Sequence, residues 1–136
     1  MKVLKVGSLD VALYLESWVG IDLDGTLAKI EEVNLKPPYP IGSPCEEVLA
    51  FVRFLYTNSV TCKLFTARVA KKESLTEQSE KIKEWLASHK ISKYFSDITA
   101  TKDPHMVLCL DDRSLRVYKG EISLPGFTNL TYEILN

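Results

Sequence analysis

The chain has 136 residues, 46% hydrophobic and 26% charged, with a formal net charge of -1. That length suits one ordinary domain and that composition a folded globular chain, which excludes a pair of full-sized domains and a disordered segment. The charge hides no long basic tract, so a dedicated nucleic-acid-binding surface is excluded as the leading reading.

Residues 2–6 and 11–15 are short β-type runs on either side of Gly7, Ser8, Leu9 and Asp10. They predict a hairpin that forms an extension over 1–17, ahead of the main fold. Asp10 and Glu16 interrupt the apolar residues there, so neither a signal peptide nor a membrane span is expected. Residues 18–23 (WVGIDL) predict a strand that ends in the polar group Asp24, Gly25 and Thr26. Residues 28–43, with Pro37, Pro38, Pro40 and Gly42, predict a flap-like loop. Val48, Leu49, Val52 and Leu55 recur at helical spacing and predict a helix over 44–58, with Ser43 as N-cap and Pro44 in the first turn.

A strand over 60–65 follows, ending in Thr66, Ala67 and Arg68. Ile82, Trp85 and Leu86 then predict one apolar face of a second helix over 75–89. Residues 94–99 and 106–110 predict two more strands, the last closing on Asp111 and Asp112. The tail from Gly120 carries Pro125 and Gly126 and a β-type ending over 130–135.

Strands alternating with helices predict an α/β fold: a Rossmann-like, three-layer α/β/α sandwich with a central, mostly parallel sheet covered on both faces. In such sheets ligands bind beyond the carboxyl ends of the strands, where the groups at 22–26, 66–68 and 111–113 all fall. Lys102 precedes the last of these strands and must reach that edge from a loop or helix. The three cysteines, Cys45, Cys62 and Cys109, lack CxxC spacing and have only two histidines to join them, so neither a disulfide framework nor a zinc site is indicated. Reduced thiols point to a cytoplasmic location.

In an extended segment, residues two apart share a side, so the carboxyl groups of Asp22 and Asp24 would face one volume. Their mutual repulsion would be relieved by a divalent cation, and oxygen ligands with a few waters suit magnesium. Gly25 permits a tight turn whose N–H groups would be open to phosphate oxygens. The rival is a solvated turn, but average composition yields the full DxDGT string by chance in on the order of one in a thousand chains of this length. An EF-hand loop needs its glycine at the sixth position, whereas Gly25 comes fourth in this string.

With those residues in view, GIDLDGTLA resembles motif I of the haloacid dehalogenase superfamily. KLFTAR is similar to its motif II, and TKDPHMVLCLDDR to motifs III and IV together; the match runs from about residue 19 to 117. The particular strings IGSPCEEVLAFVRFL and FTARVA resemble small capless members found in bacterial and phage genomes. The resemblance implies a magnesium-dependent phosphatase in which Asp22 forms an aspartyl-phosphate and Asp24 acts as general acid and base. It also implies a metal shell of Asp22, Asp24 (through its backbone carbonyl), Asp111 and Asp112, the last two directly or through water, with the direct ligand of the two left open. Thr66 and Lys102 would grip the phosphoryl oxygens, with Gly25, Thr26 and Ala67 around them. Arg68 and Arg113 would contact the rest of the substrate or form salt bridges.

Neither 28–43 nor 69–74 is long enough to be a cap domain, so the site is expected to be open to bulky substrates such as a nucleotide, oligonucleotide end or phosphoprotein, or closed by a second copy in a homo-oligomer; the expected partner is a phosphorylated small molecule or nucleotide. Two alternatives stand beside a general phosphatase. One is a phosphate-binding or interaction module with little turnover; the other is a phosphatase specialised for nucleotide or oligonucleotide 3'-phosphate ends. Dehalogenation fits the paired Asp111 and Asp112 less well than phosphoester chemistry does.

Overall fold

The computed structural model describes residues 1–123 and 131–136; the expected turn residues Pro125 and Gly126, and Leu130 at the start of the predicted final run, lie outside them. In chain order the elements are β1 (Lys2–Val6), β2 (Leu9–Leu13), β3 (Trp18–Ile21), α1 (Glu46–Thr57), β4 (Thr61–Phe65), α2 (Leu75–Ser88), β5 (Asp97–Thr99), β6 (Met106–Leu110), β7 (Arg116–Tyr118), β8 (Glu121–Ser123) and β9 (Tyr132–Leu135). The fold is mixed α/β. A four-stranded parallel sheet, ordered β5-β4-β3-β6, stands beside a three-stranded antiparallel sheet, β2-β1-β9, and the small hairpin β7-β8.

The amino-terminal hairpin turns on two residues, Gly7 and Ser8, with Val6 opposite Leu9 and Gly7 at φ +58°. Two-residue hairpin loops favour such positive φ, so the turn closes earlier than the sequence suggests and β2 covers 9–13 in place of 11–15. A shift of two residues leaves the same side chains facing inward, and Val11 and Leu13 are buried beside Leu4. β9 pairs with the other side of β1. Its Tyr132 ring lies 4.8 Å from Phe51 and 4.7 Å from Phe54 of α1. The two ends of the described chain thus form one sheet whose apolar residues join the core of the parallel sheet, rather than an appendage.

β3 is one of the two inner strands, and all four of its residues are buried. Val19 and Ile21 share one face with their neighbours Cys62 and Leu64. That face belongs to the same buried cluster as Leu49, Val52 and Leu55 of α1 and Ile82, Trp85 and Leu86 of α2. The opposite face carries Trp18, Lys63 and Phe65: the Lys63 ammonium sits 4.7 Å over the Trp18 ring and Phe65 packs edge-on to it.

The expected helix layer on this second face is not formed by the described residues. β5 and β6 lie three strand spacings apart, about 14 Å, and residues 100–105 join them without a helix. An extended run of that length reaches only roughly 20 Å, which leaves no slack for one. The connection forms a strap instead. Asp103 accepts a hydrogen bond from Trp18 Nε1 (2.9 Å), and the His105 carbonyl accepts one from the Trp18 N–H (2.9 Å).

Smaller differences have local causes. α1 begins at Glu46 with Cys45 as N-cap, because Pro44 and Cys45 are held to the flap base: Pro44 bridges Ala28 and the Cys45 N–H donates to Leu27 O. β5 is shorter than predicted because Ser92–Tyr94 forms a 3₁₀ turn. The hairpin β7-β8, which the sequence pattern does not predict, turns on Lys119 and Gly120, both at positive φ. Among the described residues, no helix is long and apolar enough to cross a membrane.

Candidate functional site

The site is built where β3, β4 and β6 end. The Asp22 N–H donates to Leu110 O (2.9 Å), which fixes the first aspartate beside the end of β6. The chain then reverses through Gly25, at φ +87°, and a Cβ there would run into the Asp112 carboxylate. Glycine is required both by the turn and by that approach. The Gly25 N–H, expected to be open to phosphate, instead donates to Ala28 O (2.8 Å), and the Thr26 N–H points to Leu23 O (3.3 Å). Thr26 is buried, and its hydroxyl donates to Asp22 Oδ2 (3.3 Å) while accepting from the Asp112 N–H (3.1 Å). In place of the expected phosphate contacts, Gly25 and Thr26 join the two aspartate loops.

Asp22, Asp111 and Asp112 each offer a carboxylate oxygen, and these oxygens lie within 4.8 Å of one another. Burial pushes the Asp22 carboxyl up to about 7; a hydrogen bond with the Asp112 side chain and the negative charges of Asp111 and Asp112 add to this, against a hydrogen bond from the Leu23 N–H. Burial penalises the charged form first, and crowding adds to it, since like charges at this spacing cannot all ionise cheaply.

Asp24, expected to be a metal ligand through its backbone carbonyl and an acid–base group through its carboxyl, lines the same cleft but turns its side chain to Arg68. Arg68 grips it with both arms, Nε to Oδ2 at 2.7 Å and Nη2 to Oδ1 at 2.8 Å, and the two side chains are only 11% and 25% exposed. Arg68 was expected to touch substrate or form a salt bridge; the second of these is what it does. Thr66, buried at the end of β4, accepts from the Arg68 N–H (3.2 Å), which leaves its own O–H to donate. Its neighbour Ala67 lines the cleft described below. Lys102 sits on the strap, exposed and forming no hydrogen bond or ion pair among the described residues. Its charge reaches Cys109, whose thiol is pushed up by burial, then by Asp111 and Asp22, and pulled down by Lys102.

A cleft of ≈ 400 Å³ opens here, lined by Asp22, Asp24, Thr66, Ala67, Asp111 and Arg113 among others. A second cleft, ≈ 350 Å³, shares Asp24, Ala67, Arg68 and Arg113 with it and extends beneath the flap. No family model, curated protein or solved structure matches this chain.

The flap is firmly held. Lys81 donates to Pro38 O (2.7 Å), Arg68 to Tyr39 O (2.7 Å) and Trp85 to Gly42 O (2.9 Å). Inside the flap, buried Asn34 accepts from the Glu31 N–H and donates to Pro40 O. Sequence reasoning did not single out Asn34, Tyr39, Lys71 or Gln78, all of which line the second cleft. The one usable signal was Arg68, a cation two residues after Thr66 at the same sheet edge as an excess of carboxylates.

Proposed function

We propose that this chain is a capless hydrolase of the haloacid dehalogenase type, on a Rossmann-like scaffold reduced on one face, that cleaves phosphomonoesters through an aspartyl-phosphate on Asp22. The observation that carries the reading is the meeting of Asp22, Asp111 and Asp112 within 4.8 Å at the mouth of a cleft. None of the three forms an ion pair with a basic side chain among the described residues. Their charge therefore calls for a partner from outside, and an all-oxygen donor set suits a small hard dication. Octahedral bonds of about 2.1 Å space their oxygens about 3 to 4.2 Å apart, so a small closure of the trio suffices. Asp22, Asp111 and Asp112 are the residues that would hold magnesium, which when bound offsets phosphoryl charge and keeps Asp22 ionised at neutral pH.

In the proposed reaction an Asp22 oxygen attacks phosphorus and the ester P–O bond breaks. The departing alkoxide takes a proton from Asp24. Asp24 then takes a proton from water as that water attacks phosphorus, breaking the bond to Asp22 and releasing phosphate. Thr66 donates its hydroxyl to a phosphoryl oxygen, and Lys102 supplies positive charge from the strap side. Each Asp24 oxygen keeps a lone pair free of Arg68, so the base role fits as it stands; the acid role places the proton on a lone pair turned away from the guanidinium.

That same Asp24–Arg68 pairing favours the second reading, a phosphate-binding module with weak turnover, because it ties the acid–base group to a structural partner. Phosphate release from 4-nitrophenyl phosphate, with and without magnesium, separates the two. Magnesium-dependent release, together with beryllium fluoride trapped on Asp22, supports the hydrolase. Tight magnesium-dependent phosphate binding with no release across a panel of esters supports the module.

A further inference from the structure

The second cleft has a composition that the proposed phosphoryl chemistry does not use. One wall is the flap, which presents Ile30, Leu35 and Tyr39 at 38%, 59% and 47% exposure. Large apolar side chains left this open around a concavity are what a ligand's ring covers. The other wall is the approach to α2 and its first turn, with Lys71, Ser74 and Gln78, and Arg113 stands at the junction with the first cleft. Lys71 and Arg113 are exposed, and neither has a carboxylate partner among the described residues. Arg68 is already committed to Asp24, Tyr39 O and Gln78. The cleft therefore offers an apolar, partly aromatic wall and two unspent cations. Its one carboxylate, Asp24, is neutralised by Arg68 and stands between the clefts.

Resting on the hydrolase reading, we propose that this second cleft holds the leaving alcohol and selects one that carries a ring body and a second phosphate, the pattern of a nucleoside bisphosphate. With one phosphate at Asp22, the ester oxygen lies toward Asp24, and the alcohol extends past it into the second cleft. A ring there packs on Tyr39, Leu35 and Ile30, and the second phosphate meets Lys71 and Arg113 in charge-assisted hydrogen bonds. The volume, ≈ 350 Å³, is at the lower end of small-molecule sites, about 300 to 1,000 Å³, which suits one nucleoside rather than a polymer. The walls are preformed, because the flap's main chain is bonded to α2 and Arg68, so little ordering opposes binding.

The test measures binding of adenosine 3',5'-bisphosphate, adenosine 3'-monophosphate and adenosine 5'-monophosphate to the Asp22→Asn variant, and magnesium-dependent phosphate release from each by the unmodified protein. The expected result is bisphosphate binding about tenfold tighter than either monophosphate, a matching preference in kcat/KM, and collapse of both to within about twofold in Lys71→Gln/Arg113→Gln. Both side chains are exposed, so that variant retains its fold. Equal binding of the three ligands, or a preference that survives in the double variant, would overturn this inference and leave the hydrolase reading standing. Preferential binding with no phosphate release from any ester would overturn the hydrolase reading, and with it the assignment of the cleft to a leaving group.

Discussion

Four carboxylates gather at one sheet edge, and they are treated in two opposite ways. Asp24 is matched to Arg68 by two short hydrogen bonds in a partly buried setting. Asp22, Asp111 and Asp112 bring carboxylate oxygens within 4.8 Å of one another and have no cationic side-chain partner among the described residues. A chain that places an arginine 44 residues away onto one carboxylate is able to neutralise acids when stability alone is at stake. The uncompensated trio is therefore the part that spends stability on something else, and the pair is the part that holds the frame around it.

The largest expected effect tests that division directly. Asp22→Asn is expected to lower magnesium-dependent phosphate release by roughly 10³-fold or more, while raising the metal-free melting temperature, because one of three repelling charges is gone. A variant that loses activity and also loses metal-free stability would contradict the contrast. Arg68→Ala should act in the reverse sense on stability, costing about 2–3 kcal/mol, between the ranges for exposed and fully buried pairs. Denaturant unfolding measures it, and a cost under about 0.5 kcal/mol would mean that the pair is ornamental.

The pH dependence of stability sharpens the comparison further. Asp22 is raised to about 7 from an ordinary value of 3.8, so between those limits the native state binds more protons than the unfolded one. Stability from this group is fully present below about pH 4 and is lost as pH rises through about 7. For a half-buried carboxylate the loss is on the order of 1–2 kcal/mol after solvent screening. Melting temperatures of chelator-treated protein should fall across that window, and magnesium should flatten the fall. The smallest effect is expected from Thr26→Val, which removes the hydroxyl between Asp22 and the Asp112 N–H and costs about 1 kcal/mol. It should weaken magnesium binding, read by titration calorimetry, more than it lowers the melting temperature.

How far this was legible in the sequence depends on whether a feature is local. Asp22, Thr66 and Asp111 stand at strand ends because each follows a short apolar run, and such runs, like the periodic faces of α1 and α2, are written in consecutive residues. What a charged group bonds to is not. Arg68 lies two residues from Thr66 in sequence but spans to Asp24, and the Gly25 N–H is taken by a carbonyl three residues on, so turn chemistry alone misassigned its role. The same limit applies to the sheets. The β1-β9 pairing joins opposite ends of the chain, and the lack of a helix between β5 and β6 follows from a count of strand spacings that only topology supplies. The second cleft escaped notice because its lining comes from three separate segments with no shared pattern.

The attachment of the flap has one more consequence. Lys81, Arg68 and Trp85 all seize carbonyl oxygens of Pro38, Tyr39 and Gly42, and a carbonyl is the one acceptor every amino acid possesses. The loop's outline is thus insulated from mutation of most of its own side chains. Ile30, Leu35 and Tyr39 are free to drift, so a lineage built on this scaffold would be able to exchange one preferred molecule for another without redesigning the machinery beneath.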